Sequence, residues 1–294
     1  MVKEVEHTFY LTKSVSFLGV ECPFSEARYF FFGVPYDLTS SFRPGSRFGP
    51  DSVRRFSANI EANSYRKEFN TERAKVYDGG DVVYTPRLST MLRRVHQVVK
   101  TGVSAGKTPV MVGGEHTFTL PAVHATLKKP SALIVFDAHF DLRDEYAGLK
   151  LNHATYLRRL LDRRPDINVL VVGVRGYDPS EKQYAVEKGV RFVKSYEAED
   201  VSRLSRLMAD TVRGKDLYVS VDIDVLDPAY APGVGNPEPE GLTPSQLFDL
   251  IHLLDGRRLR GFDVMEVNPL YDNGSTASIA AKTLMELVAL VEES

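Results

Sequence analysis

The sequence predicts an α/β protein with a mainly parallel sheet, because short apolar runs alternate with amphipathic stretches along the whole chain. Eight such runs predict strands, and the stretches between them have the apolar spacing of helices. Neither a Pro/Gly-rich linker nor a break in composition divides the chain, so we expect residues 1–294 to form one domain. A doubly wound sheet and an eight-stranded barrel both fit this alternation, and both bind ligands at the carboxyl ends of their strands.

The predicted strands are continuous apolar or aromatic runs, as expected for strands that are buried on both faces. They span residues 29–34, 75–78, 109–112, 132–136, 168–173, 190–193, 217–221 and 261–266. The predicted helices span 49 to about 62, 88 to about 103, 155–163, 179–188, about 200–213, 243–254 and about 276–292. Proline at position 50 is typical of a helix start, and Gly79-Gly80 is expected to close the second strand. His124 is placed in a further helix.

Composition and charge exclude several classes of protein. A content of 43% hydrophobic and 26% charged residues is that of a folded globular protein. The net charge of −2 argues against nucleic acid or an anionic membrane as the main partner. No apolar run approaches the length of a membrane span, and the N-terminus has no apolar signal core. The single cysteine, Cys22, cannot form an internal disulfide, so we expect a cytoplasmic protein.

One stretch, Asp137-Ala138-His139-Phe140-Asp141, carries the strongest chemical signal. It follows the predicted strand 132–136, and the alternation of side chains along a strand would direct Asp137, His139 and Asp141 to one side. These groups carry a local excess of negative charge, which a bound divalent cation would neutralise. The alternative is a helix cap followed by solvated acidic residues.

Two other predicted strand ends add groups of the same kind. His116 follows strand 109–112, and Asp222 and Asp224 follow strand 217–221 with the same i, i+2 spacing. Two histidines and four carboxylates without a thiolate suit a pair of hard divalent ions, with shared carboxylates bridging them. Such a pair lowers the pKa of bound water and so supplies a nucleophile. The oxygen-rich donor set favours manganese, and zinc and iron remain open.

Three segments together resemble the signature motifs of the ureohydrolase family, which comprises arginases, agmatinases and their relatives. The segments are Gly113-Gly114-Glu115-His116-Thr117, Asp137-Ala138-His139-Phe140-Asp141 and Ser220-Val221-Asp222-Ile223-Asp224-Val225-Leu226-Asp227-Pro228. Further matches are Gly45-Ser46-Arg47-Phe48-Gly49-Pro50, Ala231-Pro232-Gly233 and Glu266-Val267-Asn268-Pro269. The resemblance implies a three-layer α/β/α sandwich with an eight-stranded parallel sheet, arginase-like, instead of a barrel. It also implies hydrolysis of a small cationic guanidino substrate to urea and an amine, and assembly into a homotrimer or homohexamer.

The resemblance implies two Mn²⁺ ions per subunit and assigns their ligands. One ion would be held by His116, Asp137, Asp141 and Asp222. The other would be held by His139, Asp137, Asp222 and Asp224, so that Asp137 and Asp222 bridge the pair.

Catalytic roles are implied for His153, Glu266 and Asp141. His153 matches the family's proton-shuttling histidine, and the alternative for it is a capping or surface residue. Glu266 matches the residue that binds the substrate guanidinium, and the alternative for it is a buried salt bridge to an arginine. The other histidines are expected to be structural; they are His7, His96, His124 and His252.

The motifs depart from the family pattern at several positions that affect the substrate pocket more than the ligands. These positions are Glu115, Thr117, Ala154, Asn236 and Glu240. The Asn236-Pro237-Glu238-Pro239 loop is closer to agmatinases than to arginases, so agmatine is the expected substrate, giving putrescine and urea. Arginine, guanidinobutyrate and formimidoylglutamate remain open, as does a non-catalytic metal-binding homologue. A dinuclear phosphoesterase is disfavoured because no basic phosphate clamp accompanies the motifs.

Overall fold

The centre of the fold is a nine-stranded sheet, seen in a computed structural model that describes residues 10–12 and 15–292. Its strands are β1 (Leu11–Thr12), β2 (Tyr29–Val34), β5 (Val76–Val82), β6 (Thr108–Gly113), β7 (Ser131–Phe136), β8 (Asn168–Val174), β9 (Arg191–Lys194), β10 (Asp216–Asp222) and β11 (Leu259–Met265). They lie side by side in the order β1-β5-β2-β6-β11-β10-β7-β8-β9. A separate two-stranded ribbon pairs β3 (Asn63–Ser64) with β4 (Phe69–Asn70).

The predicted parallel sheet is confirmed for the eight strands from β5 to β9, which all pair in parallel with their neighbours. The ninth strand was not predicted: β1 is a two-residue strand that pairs antiparallel with β5 at one edge. The sheet is open, with β1 and β9 at its edges, so it is not a barrel.

Helices cover both faces of the sheet, which confirms the three-layer α/β/α sandwich. The helices are α1 (Gly49–Ser57), α2 (Leu88–Ser104), α3 (Thr119–Thr126), α4 (Tyr156–Arg163), α5 (Pro179–Glu187), α6 (Val201–Val212), α7 (Pro244–His252) and α8 (Ser275–Glu292). Alternate strand residues face opposite layers: Phe31 and Ile134 pack with α1, α6, α7 and α8, whereas Phe30 and Leu133 pack with α2, α3, α4 and α5.

Two local predictions differ from the structure, and a third is confirmed. The first helix ends at Ser57 and not near residue 62. Directly after the helix, the backbone N–H of Asn59 donates to the carbonyl of Phe56, which forms a tighter turn. Strand β5 continues through Gly79-Gly80 to Val82. A Cβ atom on Gly79 would lie 2.7 Å from a ring carbon of Phe30, so glycine here allows close packing of neighbouring strands. Helix α3 contains His124, in agreement with its predicted helical position.

The strand order determines which strand ends meet. Strands β11 and β10 come last in the chain but lie between β6 and β7. The carboxyl ends of these four parallel strands therefore lie side by side. None of the helices in the described part of the chain is both long enough and apolar enough to cross a membrane.

Candidate metal centre and active site

A predicted site residue lies at the carboxyl end of each of the four strands β6, β11, β10 and β7. His116 follows β6, Asp137 follows β7, Asp222 ends β10 and Glu266 follows β11. His116, Asp137 and Asp222 are almost completely buried. The structure therefore brings together groups that are up to 150 residues apart in the sequence.

The segment after β7 converges as predicted, but the predicted reason is wrong. The strand ends at Phe136, so Asp137, His139 and Asp141 do not alternate along a strand. Instead, the Oδ1 atom of Asp137 accepts a 2.6 Å hydrogen bond from the backbone N–H of His139, and Asp141 has a positive φ of 53°. A left-handed conformation is uncommon for aspartate and costs free energy, which is typical of functional loops.

The Asp222/Asp224 pair also converges through a turn. Asp222 is the last residue of β10, and Asp224 lies in a 3-10 turn directly after it. The Oδ1 atom of Asp222 caps this turn by accepting a 2.9 Å hydrogen bond from the backbone N–H of Asp224. The Oδ1 atom of Asp224 accepts a 3.1 Å hydrogen bond from the backbone N–H of Ala138, which joins this turn to the segment after β7.

One group of possible ligands surrounds the Nδ1 atom of His116. Carboxylate oxygens of Asp137, Asp222 and Asp141 lie 3.1, 3.2 and 3.4 Å from this nitrogen. None of them has hydrogen-bonding geometry, so Nδ1 is buried without a partner. The other ring nitrogen, Nε2, lies 2.9 Å from the hydroxyl of Ser220. With a proton on Nε2 donated to Ser220, the Nδ1 lone pair would be free to bind a metal ion.

A second group surrounds the Nδ1 atom of His139. This nitrogen lies 2.9 Å from the Oδ2 atom of Asp224 and 3.6 Å from the Oδ1 atom of Asp137. Asp137 thus belongs to both groups, with one oxygen near each histidine. Among the described residues, potential ligand atoms of His116, Asp137 and Asp222 lie within 4.8 Å of one another, as do those of Asp137, His139 and Asp224.

Burial makes the carboxylates of this centre electrostatically unequal. Burial and the neighbouring charge of Asp137 raise the pKa of Asp141 to about 7. Burial and the charges of Asp224 and Asp137 raise the pKa of Asp222 well above its usual range. Burial acts in the same direction on Asp137, but the imidazoles of His116 and His139 outweigh it and lower that pKa to about 2. Positive charge is therefore needed for all of these carboxylates to ionise together.

The donor set fits two divalent cations. Four aspartates and two neutral imidazoles supply oxygen and nitrogen ligands without thiolate, and two dications would balance the four negative charges. The unpartnered Nδ1 atom of His116, surrounded by three carboxylates, is the arrangement expected of ligands that share an ion. Asp137 belongs to both groups of possible ligands, and the bridging roles predicted for Asp137 and Asp222 remain predictions.

A cavity of about 260 Å³ opens directly onto this centre. His139, Asp141, Asp222 and Asp224 line its floor, together with Glu266. Its walls add residues of mixed charge, namely Arg143, Tyr146, His153, Tyr177, Glu181 and Glu238. A cavity of this size suits a small substrate.

His153 lies on the cavity wall, in a turn that begins with the capping residue Asn152. Its Nε2 atom is 3.2 Å from the hydroxyl of Ser41, which in turn accepts a 3.1 Å hydrogen bond from the side-chain amide of Asn236. Burial, together with the charges of His139 and His116, lowers the pKa of His153 to about 4. The imidazole is therefore neutral near pH 7.

Glu266 faces the same cavity from the end of β11. Its backbone has a positive φ of 62°, and its Oε1 atom accepts a 2.8 Å hydrogen bond from the backbone N–H of His116. Among the described residues, neither lysine nor arginine forms an ion pair with Glu266, so the alternative of a buried salt bridge is not supported. Burial and the charge of Glu115 raise the pKa of Glu266 to about 8.

Several cavity residues were not found from the sequence. Ser40 and Arg143 come from loops and Glu181 from helix α5, and none of the three belongs to a ligand-type motif. Asn236 and Glu238, which also line the cavity, lie in the loop that the sequence analysis singled out. The other histidines lie where a structural role is expected: His252 is 2.9 Å from Glu286, His96 and His124 lie in helices, and His7 is outside the described residues.

Comparison with known proteins agrees with this geometry. The model of the arginase family matches residues 27–289. An agmatinase of Bacillus anthracis is 35% identical over 272 residues, covering 91% of this chain and 92% of that protein. The mitochondrial guanidino acid hydrolase of Homo sapiens is 38% identical over 270 residues, covering 88% and 76% of the two chains.

Solved structures agree as well. The agmatine ureohydrolase of Thermoplasma volcanium is 35% identical, with a TM-score of 0.86 over 99% of this chain and 98% of that one. Family model, relatives and fold thus agree over nearly the whole chain, as the three motifs predicted. The chain therefore belongs to the arginase family, and it is a hydrolase of carbon–nitrogen bonds.

Proposed function

We propose that this protein is a binuclear manganese hydrolase that cleaves a guanidino substrate, and that its substrate is agmatine, giving putrescine and urea. The observation that carries the proposal is the pair of histidine–aspartate groups that share Asp137 and open into a cavity beside Glu266. A binding module would need neither two groups of ligands nor a buried carboxylate in the same cavity.

The metal ligands would be those inferred from the motifs. His116, Asp137, Asp141 and Asp222 would hold one ion, and His139, Asp137, Asp222 and Asp224 the other. When bound, the two ions would lower the pKa of water and supply the nucleophile for attack on the guanidinium carbon. Oxygen ligands dominate the set, which favours manganese.

Glu266 would bind and orient the guanidinium group. The backbone N–H of His116 holds one carboxylate oxygen, and the side chain lines the cavity next to Asp222 and Asp224. A carboxylate can accept two N–H groups from a planar guanidinium, and this pairing fixes the carbon relative to the floor of the cavity. A cationic guanidinium also favours ionisation of a carboxylate whose pKa is raised by burial.

His153 would carry the proton that the departing amine needs. Because the amide of Asn236 donates to the Ser41 hydroxyl, that hydroxyl can donate to the Nε2 atom of His153. A neutral imidazole held in this way can take up one proton and pass it on across the cavity.

The charged residues of the cavity wall help to discriminate between possible substrates. The carboxylate of Glu238 has a lowered pKa, owing first to His139, and it offers a negative charge to the terminal ammonium of agmatine. Arg143 lies in the same cavity, with its Nε atom 3.6 Å from a carboxylate oxygen of Glu181. Because Glu181 offsets its charge, Arg143 is compatible with agmatine.

A second candidate follows from Arg143. If its cation acts on the substrate, a guanidino acid such as guanidinobutyrate, with a carboxylate at the far end, would bind better than agmatine. The human relative, 38% identical, is named as a guanidino acid hydrolase.

The discriminating experiment is urea release from agmatine, guanidinobutyrate and arginine by protein loaded with MnCl₂, with formamide release from formimidoylglutamate measured in parallel. We expect the highest kcat/KM with agmatine, and loss of activity after chelation that added Mn²⁺ restores. Higher kcat/KM with guanidinobutyrate, reversed by Arg143→Met, would favour the second candidate. Neither urea nor formamide from any of these compounds would contradict the proposed enzyme.

The setting of the enzyme is also proposed from the family resemblance. We propose a cytoplasmic homotrimer or homohexamer. Light scattering on the purified protein measures its mass in solution, and a monomer would contradict the proposed assembly.

A further inference from the structure

Arg175 makes an unusual set of contacts just after β8. Its guanidinium donates to six backbone carbonyl oxygens, at distances from 2.7 to 3.2 Å. The acceptors are Gly173, Asp224, Val225, Leu226, Glu238 and Pro239. Within the described part of the chain, no carboxylate forms an ion pair with Arg175. The side chain therefore connects stretches of backbone and does not neutralise an acid.

The connected stretches include the segment that carries a predicted metal ligand. Asp224, whose Oδ2 atom lies 2.9 Å from His139, has its own carbonyl oxygen 2.7 Å from the Nη2 atom of Arg175. The carbonyls of Val225 and Leu226 accept hydrogen bonds from the same guanidinium. The Arg175 side chain thus fixes, through backbone carbonyls, the turn that carries the Asp224 carboxylate.

The backbone of Arg175 holds the other predicted ligands of the same group. The N–H groups of Arg175 and Gly176 both donate to the carbonyl oxygen of Ala138, at 2.8 and 2.9 Å. Ala138 lies between Asp137 and His139, so this pair of hydrogen bonds fixes the segment that carries both of them.

The stretch of Glu238 and Pro239, which Arg175 also contacts, places a carboxylate next to His139. The carbonyls of Glu238 and Pro239 accept hydrogen bonds from Arg175, and a carboxylate oxygen of Glu238 lies 3.9 Å from the Nε2 atom of His139. A histidine that binds a metal commonly directs its other ring nitrogen at a carboxylate, which orients the ring and increases its basicity. Glycine at position 176 allows this approach, since a Cβ atom there would be 3.0 Å from both His139 Nε2 and Glu238 Cγ.

We propose that Arg175 is a positioning residue for one half of the metal centre, the half formed by His139, Asp137 and Asp224. It fixes the backbone of these ligands and holds Glu238 against His139, while the half around His116 is held by other contacts. The inference rests on the proposed metal centre. Lysine could not replace arginine here, because one ammonium has three donors at a single point and cannot reach six carbonyls around a planar fork.

Metal binding to the full-length protein tests this inference without reference to substrate. Arg175→Lys and Glu238→Gln would be dialysed against MnCl₂ over a range of concentrations. Manganese per chain would be measured by mass spectrometry, and coupling between the ions by low-temperature electron paramagnetic resonance. We expect the wild type to bind two coupled ions. Each variant should keep the first ion, bind the second about 10–100-fold more weakly, and show the signal of an isolated Mn²⁺ at intermediate concentrations.

Arg164→Lys is the matched control. Arg164 is also largely buried and donates to the carbonyl of Leu127 and to the hydroxyl of Ser131. Ser131 is the first residue of β7, so these contacts lie at the amino ends of the strands, opposite the metal centre. We expect this variant to bind both ions as the wild type does. Circular dichroism would verify that each variant is folded, and Glu238→Gln tests the same half of the centre if Arg175→Lys does not fold.

Two results would overturn the inference. Equal affinity of wild type and both variants for the second ion would show that neither Arg175 nor Glu238 supports it. Equal weakening of both ions, in these variants and in Arg164→Lys alike, would show a general loss of stability. Fewer than two ions in the wild type would be a different result, because it would contradict the metal centre itself.

Discussion

The Oε1 atom of Glu266 accepts a 2.8 Å hydrogen bond from the backbone N–H of His116. The backbone N–H of Glu266 in turn donates to the carbonyl of Gly114, at 2.9 Å. These two contacts join the end of β11 to the end of β6, next to a predicted metal ligand. The residue proposed to bind the guanidinium is therefore fixed relative to the metal centre by backbone groups, and this leads to the first prediction.

Glu266→Gln keeps an oxygen that can accept the hydrogen bond from His116 but removes the negative charge. We expect kcat/KM for urea release to fall about 100-fold, which corresponds to ~3 kcal/mol of lost charge-assisted binding. Manganese content should stay at the wild-type value, since Glu266 is not a proposed ligand. Unchanged kcat/KM in a metal-loaded variant would contradict the proposed role.

The raised pKa of Glu266, about 8, gives a prediction for pH dependence. Below this pH the free enzyme holds Glu266 protonated, and a neutral carboxyl binds a guanidinium cation less well. We therefore expect kcat/KM of the wild type to rise with pH as Glu266 ionises, at a pH below 8 in the metal-loaded enzyme, because nearby cations lower the pKa of a carboxyl. Glu266→Gln should lack this limb, and a pH profile with the same limb in both proteins would exclude Glu266 as its source.

His153 and Ser41 give a prediction about proton transfer. We expect His153→Asn to lower kcat by about 10²–10⁴-fold, the usual contribution of a positioned acid or base. Ser41→Ala removes the partner of the Nε2 atom and should lower kcat by roughly tenfold, the equivalent of one hydrogen bond. Steady-state kinetics measures both effects, with manganese content as the control. A Ser41→Ala variant with wild-type kcat would show that this hydroxyl does not assist His153.

Arg54 gives a prediction about stability away from the site. Its guanidinium is fully buried, bonds Asp78 through Nε and Nη2 at 2.8 and 3.1 Å, and also pairs with Asp81. Arg54→Met would leave buried carboxylates without their cation, so we expect the free energy of unfolding to fall by ~3–5 kcal/mol.

The neighbouring residue provides the control for Arg54. Arg55 makes an exposed ion pair with Asp51 one helical turn away. Arg55→Met should change the free energy of unfolding by less than about 1 kcal/mol. Urea denaturation measures the free energy of unfolding of both variants. Equal losses would contradict the claim that a buried ion pair matters more for stability than an exposed one.

His124 gives a prediction about stability and pH. Burial, and then the charges of Arg163 and Arg164, lower the pKa of its imidazole from 6.5 to about 4. Between these values the unfolded chain binds a proton that the folded chain does not, so this residue reduces stability as pH falls from about 6.5 to 4. The full pKa difference would correspond to about 3.4 kcal/mol, and the loss should be smaller than this because His124 is partly exposed to solvent.

His124→Gln cannot take up this proton. Urea denaturation of both proteins between pH 7 and 4 should show that the difference in free energy of unfolding shifts in favour of the variant as pH falls. A difference that is independent of pH would contradict the lowered pKa of His124.

Local sequence was sufficient to predict most of the fold. The apolar runs that became β7 and β10 are continuous because both faces of these strands are buried, and this pattern needs no knowledge of the neighbours. The two-residue strand β1 was not predicted, because it exists only through its pairing with β5. The extension of β5 through Gly79 was missed for a similar reason, since packing against Phe30 overrides the turn preference of glycine.

The sequence by itself determined which side chains have metal-ligand chemistry and that they follow strand ends. Only the tertiary structure decided that they meet, because β10 and β11 insert between β6 and β7 and so bring Asp222 and Glu266 beside His116 and Asp137. It also decided how Asp141 turns inward, through a positive φ that no strand pattern predicts. Arg175 had no signal in the sequence, since its partners are backbone carbonyls, which every residue has and only the folded chain brings together.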